Sequence, residues 1–286
     1  MEDMETQAVE AGQSQPLIKV ELGDNLDFLK SFQSDSVDLI YIDPPFNTGC
    51  KQFRTRFRTE HKRRVSLDSY GYNDSFDDYI GFIKPRMIEA YRILKSDGSL
   101  FFHIDYREVH YCKIMLDEIF GKDSFINEII WSYDYGARST KRWSAKHDNI
   151  LWYAKDPKNY TFNYDKIDRI PYMAPKLVGP EKAARGKTPT DVWWHTIVST
   201  NGREKTGYAT QKPRGIIDRI VKVHSKPGDL LMDFFAGSGT LGESAYALGR
   251  NAILVDSNPE AIAVMKLRFK DLNVRWYGCD EIKPEK

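Results

Sequence analysis

The sequence predicts an α/β fold built on a mostly parallel sheet, and three apolar runs carry that prediction. The first, Val37 to Ile42, reads as a buried strand and stops at Asp43-Pro44-Pro45-Phe46. The second, Leu230 to Met232, leads into Asp233-Phe234-Phe235-Ala236-Gly237-Ser238-Gly239-Thr240 and then into a helical stretch, Leu241 to Leu248, closed by Gly249. The third, Asn251 to Val255, delivers Asp256 on the order of 20 residues after the glycines, the spacing at which a carboxylate reaches a ribose hydroxyl in a dinucleotide-binding α/β unit.

Taken in order, Leu17 to Glu21 reads as a strand, Asn25 to Phe32 as a helix and Val37 to Ile42 as the next strand, a βαβ opening. Asp24 stands at the first strand's carboxyl end, where it serves as N-cap for the helix that follows. Pro44 and Pro45 fix φ and remove two N–H donors, so the strand must stop there in a stiff, extended turn. That turn puts a carboxylate, free carbonyls and an aromatic ring where open α/β sheets bind ligands. Asp43 and the Pro44 carbonyl can accept hydrogen bonds from an exocyclic amino group while Phe46 stacks on the ring that bears it.

Gly49 to Arg64 is basic, nearly free of acid and interleaved with Phe53 and Phe57. It reads as a loop whose Arg54, Arg56, Arg58, Lys62, Arg63 and Arg64 suit phosphate contacts and whose rings suit stacking. Its bland alternative is a solvated loop without a ligand.

Phe76 to Leu94 reads as an amphipathic helix stopped by Ser96-Asp97-Gly98, and Ser99 to Ile104 as a buried strand. Alternation puts His103 and Asp105 on one strand face, which favours a packed or hydrogen-bonded role over a metal or acid/base pair. Arg107 to Phe120 reads as a helix closed by Gly121, and Glu128 to Trp131 as a strand.

Tyr133 to Tyr208 changes character, with tyrosines and tryptophans set among Lys, Arg, Gly and Pro. Within it only His147 to Tyr153 reads clearly as a strand. Gln211 to His224 reads as a helix with Pro213 in its first turn. After the glycine turn and Asp256 come a last helix, Pro259 to Lys270, and a polar tail.

The glycine turn brings backbone close to a ligand at a helix N-terminus. No Gly-Lys-Ser/Thr follows it, so it is not a phosphate-binding P-loop. Together with Asp256 and the Asp43 tip it describes a nucleoside ligand beside an amine-binding site.

Composition narrows the partners. A net charge of +1 over 286 residues excludes a global polycation, so nucleic-acid affinity must come from a local patch. Cys50, Cys112 and Cys279 are far apart and odd in number, which argues against zinc and against a disulfide framework. No stretch approaches the ~20 apolar residues of a membrane span. A cytoplasmic protein with a disordered tail over residues 1–15 is expected.

These motifs resemble the amino-group DNA methyltransferases that use S-adenosyl-L-methionine. Asp43-Pro44-Pro45-Phe46 is similar to that family's catalytic tetrad, with Phe46 in place of the commoner Tyr, and Phe235-Ala236-Gly237-Ser238-Gly239 is similar to its cofactor motif. Catalytic motif before cofactor motif resembles the family's β arrangement. Gly23-Asp24-Asn25-Leu26 and Thr210-Gln211-Lys212-Pro213 are further matches.

The resemblance implies a Rossmann-like methyltransferase fold with a small target-recognition insertion. Residues 16–132 would be a catalytic half, 133–208 a late strand plus target recognition, and 209–286 a cofactor half. It also implies cofactor contacts from Asp24 on the adenine side, from Lys212 at the methionine end, and from Asp233 through Thr240 and Asp256. The substrate would be duplex DNA, with Arg138, Lys141 and Arg142 reaching toward it, and a homodimer and a restriction endonuclease counterpart are the candidate partners. Adenine N6 is the expected target by resemblance. Cytosine N4, an RNA, a protein glutamine amide and a non-catalytic DNA-binding module are the alternatives.

Overall fold

The computed structural model describes residues 15–60, 63–199, 202 and 204–284, with the backbone alone over 51–73. The chain opens with β1 (Ile18–Leu22), α1 (Asn25–Ser31) and β2 (Val37–Ile42), then forms a hairpin of β3 (Cys50–Glu60) and β4 (Arg63–Asp74). Next come α2 (Tyr79–Ile93), β5 (Leu94–Ile104), α3 (Val109–Phe120), β6 (Phe125–Ser132) and β7 (His147–Ala154). A short helix α4 (Pro180–Arg185) and a short strand β8 (Val192–Trp194) precede α5 (Arg214–His224), β9 (Leu230–Asp233), α6 (Thr240–Ala247), β10 (Asn251–Asp256), α7 (Pro259–Arg268) and β11 (Val274–Tyr277).

Nine strands make one sheet in the order β11, β1, β10, β9, β2, β5, β7, β6, β8. The pairs from β11 across to β5 are parallel, β7 runs against both β5 and β6, and β8 is parallel to β6. Strand β2 shows why its sequence is apolar apart from Asp38. Leu39 and Tyr41 face one layer of helices, with Ile216 and Ile220 of α5, Leu241 of α6 and Ile262 of α7. Ile40 and Ile42 face the other, with Leu29 of α1, Ile83 and Met87 of α2 and Leu116 of α3. A parallel strand covered on both faces needs apolar side chains pointing both ways, and Asp38, near the strand's start, is paired with Lys95.

Chain direction through the sheet reverses between β9 and β2. From β2 the chain moves outward to β5, and from β9 outward to β10 on the other side. Such a switch point opens a crevice at the carboxyl ends of the two strands, and those ends carry Asp43 and Asp233. This is the expected Rossmann-like architecture.

The structure corrects four expectations. Gly49 to Arg64 is not a loop: Cys50 to Asp74 is a two-stranded antiparallel sheet separate from the main one. Ser96-Asp97-Gly98 does not punctuate helix from strand, because β5 begins at Leu94, directly after α2. Pro213 caps α5 from outside, its extended ψ of 136° excluding it from the first turn. The polar tail contains β11, whose Val274 pairs with Ile18 at the sheet edge. Among the described residues no helix is long and apolar enough to cross a membrane.

Candidate active site

Asp43 leaves the end of β2 with its two oxygens in different situations. Oδ2 accepts a 2.6 Å hydrogen bond from Lys212 Nζ, which also lies 4.7 Å from the centroid of the Phe46 ring. Oδ1 is buried, has no hydrogen-bond partner among the described residues, and sits 3.9 Å from His103 Nδ1. Pro44 is buried and Pro45 and Phe46 are half-buried. Beyond the prolines the chain is pinned: Asn47 N–H and the Thr48 hydroxyl donate to the two Asp74 oxygens at 2.7 and 2.6 Å, and Phe76 N–H donates to Asn47 Oδ1 at 2.9 Å.

Behind the tip lies a buried polar network. Burial, then the charge of Asp43, pushes the Tyr41 hydroxyl well above its usual range, so it stays protonated and donates to His103 Nδ1 at 2.7 Å. That leaves His103 Nε2 to donate to Asp148 Oδ2 at 3.2 Å, while Tyr133 donates to Asp148 Oδ1 at 3.0 Å. Burial alone would raise Asp148; the hydrogen bond and charge of His103 more than reverse it and hold the carboxyl below its usual range. His103 is thus packed and hydrogen-bonded, as its strand position suggested. Asp105 is separate from it, engaged by the backbone and guanidinium of Arg107.

The glycine turn forms the opposite wall. Asp256 Oδ2 accepts from Gly237 N–H at 2.7 Å and Oδ1 from Asn258 N–H at 2.8 Å, so this carboxylate braces the turn from β10. Burial raises it above the usual carboxylate range, against those two hydrogen bonds. Asp233 is raised much further by burial, opposed by the Phe235 N–H and reinforced by the charges of Asp43 and Asp256.

The two glycines differ. Gly237 has φ +49° and faces the Tyr208 ring, 3.2 Å from where a Cβ would be. A Cβ on Gly239, φ +75°, would fall 2.6 Å from Phe269 and 2.8 Å from Met265. Gly239 therefore lets α7 pack closely, whereas Gly237 keeps the cavity wall low. Arg268 ties Ser238 and Thr240 together, and the Thr240 hydroxyl reaches the Lys212 carbonyl at 3.3 Å. Lys212 thus touches the turn with its backbone and the Asp43 tip with its side chain, and it lines the space between them.

The two walls enclose a cavity of about 320 Å³, at the lower end of the size range for ligand pockets. Asp24, Asp43, Asp233, Phe234, Phe235, Ala236, Gly237, Ser238, Thr240 and Asp256 all line it, so the two predicted clusters are brought together. Asp24 caps α1, accepting from Leu26 and Asp27 N–H, and also meets Arg86 at 3.4 Å, so the capping role is realised at the cavity's edge. Two of the four carboxyls in the lining are paired with its two cations, Asp24 with Arg86 and Asp43 with Lys212, and burial favours the protonated form of Asp233.

Sequence reasoning missed Arg86, Phe82 and Tyr208. Arg86 is buried, donates to Asn25 Oδ1 at 2.6 Å and lies 3.9 Å over the Phe82 ring. Its position among Ile83, Met87 and Ala90 on the apolar stripe of α2 marks a cation inside the fold. Nothing local marks Tyr208, which arrives from the irregular segment before α5.

Arg54, Arg56, Arg58, Arg63 and Arg64 lie on the backbone of the hairpin, and Lys62 lies outside the described residues. Arg138, Lys141 and Arg142 are exposed in the connection between β6 and β7, with Arg138 paired to Asp134 at 2.5 Å.

Fold and site together define an α/β protein that brings the Asp43 tip and the glycine turn to one cavity at the switch point of its sheet. The DNA methylase family N6_N4_Mtase matches residues 37–267, and the chain belongs to it. It is a DNA methyltransferase of the N6/N4 amino class, whose methyl donor is S-adenosylmethionine. It is 32% identical to the Type II methyltransferase M.HpaI of Haemophilus parainfluenzae over 89% of this chain and 74% of that one. It is also 32% identical to the DNA adenine methyltransferase YhdJ of Escherichia coli (strain K12), over 91% and 84%. Its fold is similar to that of the PvuII cytosine-N4-specific DNA methyltransferase, with a TM-score of 0.63 at 18% identity, covering 92% of both chains.

Proposed function

We propose that this protein methylates the 6-amino nitrogen of adenine at a specific sequence in duplex DNA. The observation that carries this reading is the meeting of the Asp43 tip with the Gly237 turn in one acid-rich cavity. Bound S-adenosylmethionine supplies a methyl group on a positively charged sulfur, and the residues fit such a group. Asp24 and Arg86 stand at one end, Asp256 and the Gly237 turn in the middle, and Asp43 at the other.

An amine inside a duplex is out of reach, so the base must leave the stack. Phe46 offers it a stacking face. Asp43 and the Pro44 carbonyl accept its two amino hydrogens, which leaves the nitrogen lone pair free to act as nucleophile without prior loss of a proton. Asp43 also stabilises the positive charge that develops on the nitrogen and receives the proton it sheds. Orientation is the larger part of the catalytic effect.

In this reading residues 16–132 supply the tip and 209–286 the cofactor wall. Residues 133–208, with the hairpin arginines, position duplex DNA and read its sequence. A restriction endonuclease of the same specificity is the counterpart that the reading carries.

Asp at position 43 and the likeness to YhdJ support adenine. Cytosine N4 is the second reading, since its amine suits the same tip and the PvuII enzyme shares the fold. Expression in a host lacking adenine methylation, followed by sequencing that detects modified bases, tests both. N6-methyladenine at one recurring sequence is expected; N4-methylcytosine would replace the first reading with the second, and unmodified DNA would overturn both.

A further inference from the structure

Among the described residues the most exposed large apolar side chain is that of Trp143, 99% exposed. It lies in the connection between β6 and β7, and strand direction fixes where that connection emerges. β5 ends at the site edge of the sheet, β7 runs antiparallel to β5 and β6 antiparallel to β7. The end of β6 and the start of β7 therefore lie on the same edge as Asp43. A chain of contacts ties the root of the connection to the catalytic tip: Tyr133 to Asp148 at 3.0 Å, Asp148 to His103 at 3.2 Å, and His103 to Asp43 Oδ1 at 3.9 Å.

The connection is also braced from within. Tyr133 N–H donates to the Lys146 carbonyl at 3.0 Å, Lys146 Nζ reaches the carbonyls of Tyr135 and Ala137, and Ser139 N–H donates to the Ser144 hydroxyl at 2.8 Å. The backbone N–H groups of Lys141 and Arg142 both donate to the Ser139 hydroxyl. Among the described residues the side chains of Lys141 and Arg142 form no ion pair or hydrogen bond. An indole held fully in water beside two unpaired cations offers a partner both an apolar face and positive charge. Aromatic plus unpaired positive charge matches the bases and phosphates of a nucleic acid.

We infer that Trp143 is the wedge that enters the DNA stack when the target base leaves it, with Lys141 and Arg142 holding the flanking phosphates. This rests on the proposed action on duplex DNA. Extruding a base forfeits its stacking and pairing. An apolar side chain inserted between base steps replaces part of that stacking. The wedge thus acts on the flipping equilibrium and not on methyl transfer itself.

The test uses the full-length protein and duplex oligonucleotides carrying the site that the wild type methylates. One set has the target base normally paired and the other has it opposite an abasic position, where little pairing is left to lose. Trp143→Ala should lower kcat/KM at least tenfold on the paired duplex and less than about threefold on the abasic one. Trp143→Phe should keep most of the activity on both. Affinity for S-adenosylmethionine should be unchanged, which checks folding. An equal loss on both duplexes, or no loss on either, would overturn the inference while leaving the methyltransferase reading in place. A defect cured by raising protein concentration would instead assign Trp143 to an interface between copies of the chain, also against the inference. A wild type that methylates no DNA would remove the reading and the inference together.

Discussion

Asp256 and Asp43 end strands two places apart in the sheet and face the same cavity, yet they are held in different ways. Both Asp256 oxygens accept backbone N–H groups, whose positions are set once the turn folds. Asp43 has one oxygen on the flexible Lys212 side chain and the other without a hydrogen-bond partner among the described residues. A buried carboxylate oxygen without a donor is unfavourable unless a donor arrives. The glycine wall is thus held by backbone groups alone, whereas in the proposed reading the amine of the target base would supply the donor that Asp43 Oδ1 lacks.

The sharpest way to break this contrast is Asp43→Ala. Methylation should fall by at least a hundred- to a thousandfold, while cofactor affinity, read by calorimetry, should change less than tenfold, or about 1.4 kcal/mol. A larger loss of affinity would mean that the tip belongs to the cofactor wall. Gly237→Val attacks the other side. A branched side chain at φ +49°, against Tyr208, should weaken S-adenosylmethionine binding about a hundredfold without preventing DNA binding. Normal cofactor titration by the folded variant would remove the turn's assigned role.

Gly239→Ala separates packing from binding. Its Cβ would overlap Phe269 and Met265, so denaturant unfolding should show a loss of about 1–3 kcal/mol. Cofactor affinity of the folded fraction should change little by comparison. A smaller effect belongs to the hairpin next to the tip. If its arginines bind phosphates, neutralising several should weaken binding to every DNA sequence and flatten the salt dependence by about 0.9 log unit for each phosphate left without its cation. An unchanged slope would return the hairpin to a solvated role.

The smallest effect is a difference in pH slope between the walls. Asp233 has a folded pKa above its unfolded value, so the fold favours its protonated form and carries a penalty that grows as pH rises from the unfolded pKa toward the folded one. Asp148 has a lowered folded pKa, so its contribution is present above the unfolded pKa and is lost as pH falls through the folded one. Relative to wild type, Asp233→Asn should gain stability as pH rises above the ordinary carboxylate range, whereas Asp148→Asn should lose stability as pH rises from below that range up to it. Unfolding curves across that range give the two differences, and equal signs would show that the walls are not electrostatically distinct.

The sequence made the central strands and both cavity motifs legible because parallel strands buried on both faces are apolar on both and break sharply at Pro-Pro or Gly. The hairpin was hidden by its own charge. Phe53-Arg54-Thr55-Arg56-Phe57-Arg58 alternates with period two, as a strand does, but so basic a run reads first as a loop. Strand β11 is only four residues long, too short to show a period. Within the site, Asp43, Gly237 and Asp256 each follow or end a strand and so announce themselves. Arg86 and Tyr208 reach the cavity through tertiary packing, and the engagement of Asp43 by Lys212 joins residues 169 apart. Spacing along the chain carries no record of such a meeting.

The pairing of β11 with β1 makes the order of the two motifs a matter of where the chain is cut. The first and last strands lie side by side, with Ile18 opposite Val274, and a linker of about ten residues, extending to roughly 33 Å, exceeds the length of either strand. Joining the ends there and opening the chain at the exposed Lys158, in the turn after β7, would place the Asp233 motif ahead of the Asp43 motif without breaking a strand pair of the main sheet. Circular permutation is tolerated at exposed turns of this kind. The rearranged protein should fold to the same sheet and keep its activity, so the linear order of catalysis and cofactor binding is an accident of connectivity that the crevice does not register.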